Sequence, residues 1–204
     1  MKTGTIATEL RLHAPFTMFG TVTGIVIMAV FVHFSIPRNI SSAFFWTLHP
    51  LHVLLSALVT TAMYRLHSGR GFLKTVLIGY FGSIGIATIS DSLMPFAGEW
   101  LLDLPHRGIH VGFIEKWWLV NPLAFAGIAI GYAWPKTKVS HAGHVFLSTW
   151  ASLFHILMAM GPSPDVSTVV LIAFFLFLAV WAPCCTSDIV FPLLWVHQKE
   201  GEVT

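Results

Sequence analysis

Charged side chains are scarce in this chain of 204 residues. Lysine, arginine, aspartate and glutamate together make up 10% of it, whereas 55% of the residues are hydrophobic and the mean hydropathy is +0.77. A soluble globular domain carries about 25% charged residues, and a disordered chain has low hydrophobicity. The composition therefore excludes both classes and predicts an integral membrane protein.

Cysteine is nearly absent as well, and basic residues do not cluster. The two cysteines, Cys184 and Cys185, are adjacent, which excludes the disulfide framework of a small secreted domain. A net charge of +2 without a basic cluster predicts no nucleic-acid partner. The chain also has no P-loop motif, so ATP could act only through a partner protein.

Long apolar runs are what the chain has in place of charge. A helix crosses the hydrocarbon core of a bilayer, about 30 Å, with about 20 apolar residues. Runs of this kind lie at residues 14–36, 43–64, 72–94, 117–134, 142–160 and 166–186. They predict an all-α membrane protein with six transmembrane helices.

Basic residues predict the orientation of these spans. If the N-terminus is cytoplasmic, eight basic residues lie on the cytoplasmic side and three on the outer side, as the positive-inside rule requires. Both termini are therefore expected in the cytoplasm. The cytoplasmic set is Lys2, Arg11, Arg65, Arg70, Lys74, Lys136, Lys138 and Lys199, and the outer set is Arg38, Arg107 and Lys116.

The two halves of the chain carry the same motifs in the same order. Each half reads PxxxxGxxxG, then HxxHVxLS, then SDxxxP. In the first and second halves the motifs begin at Pro15 and Pro122, at His49 and His141, and at Ser90 and Ser187. An internal duplication dictates architecture, because each repeat is one structural unit.

Three spans in each half make the second half cross the membrane in the opposite sense. We therefore predict two inverted-topology three-helix repeats, residues 1–96 and 115–204, joined by an outer connecting loop at 97–114. The GxxxG pairs are expected to let helices pack closely. The prolines of the SDxxxP motifs, Pro95 and Pro192, are expected to end or break their helices.

Two histidines at positions i and i+3 lie on one side of a helix and can bind one cation together with a carboxylate. Imidazole and carboxylate suit zinc, iron, nickel, manganese or copper, which the pattern does not distinguish. The predicted outer site is His49, His52 and Asp91, and the predicted inner site is His141, His144 and Asp188. Further candidate ligands are Glu9, Glu115 and His155, and the serines expected to support the ligands are Ser56, Ser90, Ser148 and Ser187.

Two other groups receive a weaker interpretation. Cys184 and Cys185 align with Ala87 and Thr88 of the first repeat, so neither is expected to take part in a duplicated mechanism. His106 and His110 lie in the connecting loop and have no repeat counterpart, so a solvated surface helix is favoured there over a metal site.

The favoured function is a transporter or permeation protein for a divalent transition-metal cation, because inverted repeats suit alternating access and intramembrane ionisable residues are functional by default. Its partners would be the lipid bilayer, a small ion or small-molecule substrate and, as a further possibility, other copies in a homo-oligomer. An enzyme is the less favoured class. One alternative is an intramembrane metal-dependent hydrolase, against which the duplicated site argues.

The other alternative is a dihaem b-type cytochrome. His52 and His67 are separated by fifteen positions and His141 and His155 by fourteen. Facing helices could thus hold two b-type haems separated by about 21 Å of helix rise. The duplication does not carry this pattern, because His155 aligns with Met63 and His67 with Ala159.

Overall fold

The structure is a computed structural model that describes residues 3–67, 71–135, 138–161, 164–185 and 190–195; the side chains of residues 3–10, 12, 13, 138–141 and 185 are also outside its description. The described residues form helices and connecting turns, with no strand among them. The helices are α1 (Thr3–His33), α2 (Arg38–Leu66), α3 (Phe72–Thr88), α4 (Met94–Leu101), α5 (Gly112–Glu115), α6 (Trp117–Ala133), α7 (Lys138–Ala159), α8 (Val166–Cys185) and α9 (Phe191–Leu194).

Five helices in the described ranges are long and apolar enough to cross a membrane, which indicates an integral membrane protein. These spans are Ala14–His33, Arg38–Leu66, Phe72–Leu101, Ala142–Ala159 and Val166–Cys184. The prediction of an all-α fold is thus confirmed for the described residues, and the length and composition of these helices agree with the predicted membrane protein. The sixth predicted span corresponds to α6, whose 17 residues have a length of about 26 Å, a little less than the hydrocarbon core.

Helices α2 and α7 lie at the centre of the bundle. Helix α2 contacts α3, α6 and α7, while α1 and α8 pack against α7 and against each other. The main apolar core lies where α1, α2, α7 and α8 meet and includes Met28, Phe45, Leu153, Ile156 and Leu176. The large side chains of α1 that point away from this core remain exposed, as contact with lipid requires.

Glycines bring α6 against α2. A Cβ atom added at Gly127 would overlap the carbonyl oxygen of Leu54, and one added at Gly131 would overlap that of Leu58. The backbones of the two helices therefore lie as close as the absence of side chains allows. The close packing predicted from this GxxxG pair is confirmed.

The expected helix end at the first SDxxxP motif is wrong. One turn of π-helix at Ile89–Leu93, called the π-turn below, joins α3 to α4 without interrupting the helical rod. The helix continues through Pro95 to Leu101 and so extends into the segment 97–114, which was predicted as the connecting loop. Proline has no backbone N–H, so one carbonyl of the preceding turn loses its donor. In a π-helical turn the hydrogen bonds join residues five positions apart in place of four, which changes the carbonyl that is left without a donor. Here the carbonyl oxygen of Ser90 accepts a hydrogen bond from Ser152 Oγ at 2.9 Å.

Asp165 caps the start of α8. Its carboxylate accepts hydrogen bonds from Ser167 Oγ at 2.6 Å and from the Thr168 backbone N–H at 3.0 Å. These bonds, that of Ser167 first, lower the pKa of Asp165 to about 2. The folded pKa lies below the usual value of 3.8, so the carboxylate stabilises the fold above about pH 4, and that contribution is lost as the pH falls through about 2.

Replacing Asp165 with alanine is therefore expected to lower the melting temperature slightly at neutral pH, because an N-terminal backbone donor loses its acceptor. The difference from the wild type should shrink between about pH 4 and pH 2. Thermal unfolding in detergent across this range measures both effects. Asp165→Asn keeps a capping oxygen and is the matched control; an alanine variant with wild-type stability at neutral pH would contradict the capping role.

Candidate metal centre

The carboxylate of Asp91 lies at the centre of a buried polar cluster. Its Oδ2 atom accepts hydrogen bonds from Nδ1 of His49 at 2.9 Å and from Nδ1 of His52 at 2.7 Å. Its Oδ1 atom accepts from Ser90 Oγ at 2.7 Å and from Ser148 Oγ at 2.8 Å. These five side chains are buried. Both oxygens of the carboxylate are therefore already engaged by donors from α2, the π-turn and α7.

These hydrogen bonds select the tautomer of both imidazoles. A neutral ring that donates from Nδ1 keeps its lone pair on Nε2, which is the atom that can bind a metal. Carboxylate groups orient metal-binding histidines in this way in many metalloproteins. In this geometry Asp91 orients His49 and His52, whereas the sequence predicted it as a ligand beside them. Metal binding by this set stays a prediction.

A second group of potential ligands adjoins the Asp91 cluster. The ligand atoms of His52, His144 and Cys184 all lie within 4.8 Å of one another, and all three residues are buried. The rings of His52 and His144 lie nearly parallel with centroids 5.3 Å apart. The Cys184 thiol is 3.5 Å from Ser148 Oγ. Within the described part of the chain, His52 Nε2 has no hydrogen-bond partner.

Helix α7 joins the two groups through a polar stripe. His144, Ser148, Ser152 and His155 lie at helical spacing and are all buried, as expected for polar side chains that face the bundle interior. Ser152 Oγ lies within hydrogen-bond distance of the Ser90 carbonyl at 2.9 Å and of the Ser148 carbonyl at 2.8 Å, so the two carbonyls share its single O–H donor. The stripe therefore ties α7 to the π-turn that carries Asp91.

The other predicted site residues are distributed as follows. His144 was predicted in the inner set but lies against His52 of the outer set, and Ser56 is buried one turn beyond His52. Glu115 accepts a hydrogen bond from the Val111 backbone at 2.7 Å, away from the cluster. The side chains of Glu9 and His141, and the residues Ser187 and Asp188, lie outside the described part.

His155, the third of the further candidate ligands, pairs with a carboxylate that the sequence analysis missed. Its Nδ1 atom donates to Glu99 Oε1 at 2.6 Å, and both side chains are buried. The signal for Glu99 was available: an acidic residue eight positions after Asp91, next to an apolar run, needs a partner in a membrane protein.

Cys184 was also missed, because comparing the two repeats removes it from consideration. Its repeat counterpart is Ala87, so only a site that breaks the symmetry of the repeats can contain the thiol. Its position next to His52 and His144 was not predicted, although it agrees with the expectation that the cysteines take no part in a duplicated mechanism.

Comparisons of the chain with protein-family models, with curated proteins and with solved structures found no match in any of the three. The assignment of a function therefore depends on the chemistry of the buried cluster.

Proposed function

We propose that the protein is a membrane transporter or permeation protein for a divalent transition-metal cation, which binds at His52, His144 and Cys184. The observation that carries this proposal is the buried Nε2 atom of His52, which Asp91 holds in the tautomer that can bind a metal. Potential ligand atoms of His52, His144 and Cys184 lie within 4.8 Å of one another. An unpaired buried acceptor costs about 1–3 kcal/mol, and a bound cation would remove that cost.

The ligand set favours zinc or another borderline metal over harder ions. Imidazole and thiolate are both ligands of zinc, which can keep an open fourth position beside three protein ligands, and a set of two imidazoles and one thiolate also suits copper. Magnesium and calcium prefer oxygen ligands, which this group does not offer. A deprotonated Cys184 and the nearby Asp91 carboxylate would together balance the two charges of the ion, which lowers the cost of holding it at membrane depth.

We also propose six spans, with α6 as the sixth, arranged as two inverted three-helix repeats. Helix α6 begins at Trp117 and Trp118 and is followed by Trp134, and all three indoles are exposed. Tryptophan is enriched at both interfaces of a membrane. The three indoles therefore support a membrane-crossing α6 despite its length.

The contact between His52 and His144 supports the inverted repeat. The two residues occupy the same position of the HxxHVxLS motif, and their rings lie 5.3 Å apart. Repeat-equivalent residues can touch in this way when they lie beside a pseudo-two-fold axis. Such an axis in the membrane plane relates the halves of many transporters and passes near the substrate site.

Glycine contacts on the two sides of the bundle support the same symmetry. Helix α1 of the first repeat packs on α7 of the second, and α6 of the second repeat packs on α2 of the first, so the two packings are equivalent under the proposed duplication. The glycines contact equivalent positions in both. The pairs are Gly20 with Thr149 and Gly24 with Leu153 on one side, and Gly127 with Ala57 and Gly131 with Thr61 on the other.

Alternating access would then follow if the halves exchange conformations around the central ion site. We keep the orientation indicated by the basic residues, with both termini in the cytoplasm. In this proposal the metal ion is the substrate, and the lipid bilayer surrounds the bundle.

Zinc uptake by proteoliposomes tests the proposal. Replacing Cys184 with serine exchanges a thiolate for a poor zinc ligand of similar size, and we expect uptake to fall at least about tenfold. Ala182→Ser adds a hydroxyl to the exposed side of the same helix and is the control that should transport normally. Uptake by the Cys184→Ser variant at the wild-type rate would overturn the assignment of this ligand.

Elemental analysis shows whether the purified protein holds a metal, and an absorption spectrum and a hydrolysis assay separate this function from the other two. A Soret band would indicate the dihaem cytochrome, and metal-dependent hydrolysis without flux would indicate the hydrolase. No described contact favours the haem arrangement: His67 is exposed and donates to the Met63 carbonyl, while His155 donates to Glu99.

A further inference from the structure

Glu99 and His155 form a buried pair that the proposed transport site does not use. His155 donates from Nδ1 to Glu99 Oε1 at 2.6 Å, and Glu99 Oε2 accepts from the Gly108 backbone N–H at 3.3 Å. This bond selects the tautomer of His155 with its lone pair on Nε2. That atom is buried and has no hydrogen-bond partner among the described residues. The arrangement repeats what Asp91 does to His52.

The ring of a second histidine packs against the ring of His155. The His110 ring is 5.2 Å from the His155 ring, centroid to centroid, with the two planes at 64°. Nδ1 of His110 donates to Glu115 Oε2 at 3.4 Å. The His110 backbone carbonyl accepts a hydrogen bond from the Ser92 hydroxyl, which ties this loop to the π-turn. In each of the two imidazoles, Nδ1 therefore donates a hydrogen bond to a carboxylate.

The separation of the two rings matches a shared metal ion. Zinc binds imidazole nitrogen at about 2.0–2.1 Å with tetrahedral angles, which puts the centroids of two ligating rings roughly 5 Å apart. Water can complete the coordination, because the His110 side chain is 26% exposed. Gly108 lies beside this histidine, and a Cβ added there would approach His110 Nε2 to 3.4 Å.

We propose that His110 and His155 bind a second divalent metal ion of the zinc, nickel, cobalt or copper class, with Glu99 and Glu115 as the carboxylates that orient the two rings. Imidazole suits these ions, and the support by carboxylates raises the basicity of the ligating nitrogen. The site does not depend on the transport proposal. It has access to water, whereas the group around His52 is buried.

An aromatic ring lies between the second site and the histidines that Asp91 orients. Phe45 is fully buried; it stacks on His49 at 5.3 Å and meets His155 edge to face at 5.2 Å. The second site also breaks the duplication, because Glu99 aligns with Val196 and His110 has no repeat counterpart. It therefore exists at one end of the bundle only, next to the loop between α4 and α5.

Cobalt(II) binding to the full-length protein in detergent distinguishes the two sites. The site with Cys184 gives a thiolate-to-cobalt charge-transfer band, and a site with imidazole and water ligands does not. We expect the wild type to bind two Co²⁺ per chain. His110→Ala should lose one ion and keep the band, while Cys184→Ser should lose the band and keep the ion at His110. His106→Ala, in the same loop, is the matched control and should bind both ions.

The outcomes separate the two proposals. The loss of one ion in His110→Ala supports the second site, whether or not the wild type gives a thiolate band. The absence of that band in the wild type would contradict only the central site. Unchanged stoichiometry in His110→Ala overturns the second site. A wild type that binds a single ion with the thiolate band overturns it too, as does an equal loss of cobalt in His106→Ala. Because His110 lies in a loop, folding of its variant can be checked by thermal unfolding without metal.

Discussion

Replacing Asp91 with alanine is expected to abolish zinc uptake and to lower the free energy of unfolding by about 3–5 kcal/mol, because each buried donor left without an acceptor costs about 1–3 kcal/mol. The carboxylate accepts from His49, His52, Ser90 and Ser148. Without it, four buried donors lose their acceptor and the two imidazoles lose the group that selects their tautomer. Thermal unfolding in detergent and uptake by proteoliposomes measure the two effects.

The Asp91→Asn variant shows the effect of losing the negative charge while the hydrogen bonds that support the fold are kept. The carboxamide can direct its oxygen at the two rings and its amino group at the two serine hydroxyls, so we expect the variant to remain folded. Zinc affinity and uptake should fall about 10–100-fold, as for other residues that orient metal ligands. Asp103→Asn changes a carboxylate that is 88% exposed and is the control. Wild-type uptake by both Asp91 variants would contradict the transport proposal.

Replacing Gly127 with alanine is expected to destabilise the protein by about 1–3 kcal/mol or more, because an overpacked interface must move its backbones apart. The added Cβ atom would overlap the Leu54 carbonyl oxygen and lie 2.9 Å from the Ala57 Cβ atom. Both belong to α2, which also carries His52. A shift of α2 should therefore lower metal affinity as well as stability.

Gly85→Ala is the matched control for this prediction. A Cβ atom at Gly85 on α3 would have no neighbour within 4 Å, so alanine should stabilise the helix by about 0.5–1 kcal/mol. Melting temperatures of the two variants, measured in the same detergent, should move in opposite directions. If Gly127→Ala is as stable as Gly85→Ala, the backbones of α2 and α6 do not approach as closely as described.

Part of the buried cluster follows from sequence spacing. His49 and His52 lie on one side of a helix because they are three positions apart, and Asp91 follows a neighbouring apolar run within a repeated motif. These two facts were sufficient to predict that the three side chains meet. They were not sufficient to predict that Asp91 uses both oxygens on donors and orients the histidines, because hydrogen-bond partners depend on the relative depth and rotation of the helices.

At the first SDxxxP motif, by contrast, the prediction from the sequence alone was wrong. Pro95 predicts a helix end by its missing N–H group. The rod continues because a π-turn precedes it and Ser152 of α7 donates to the Ser90 carbonyl. That donor is 62 positions away in the chain, so no local pattern could include it.

Hydropathy was sufficient for the class of this protein, because the length of an apolar run and the thickness of a bilayer are local quantities. Periodicity identified which polar residues avoid lipid, and the GxxxG spacing identified a close helix contact. The pairing of Glu99 with His155, the approach of His110 and the position of Cys184 beside His52 required the folded chain. They join side chains from distant segments, and the packing of whole helices sets the distances between them.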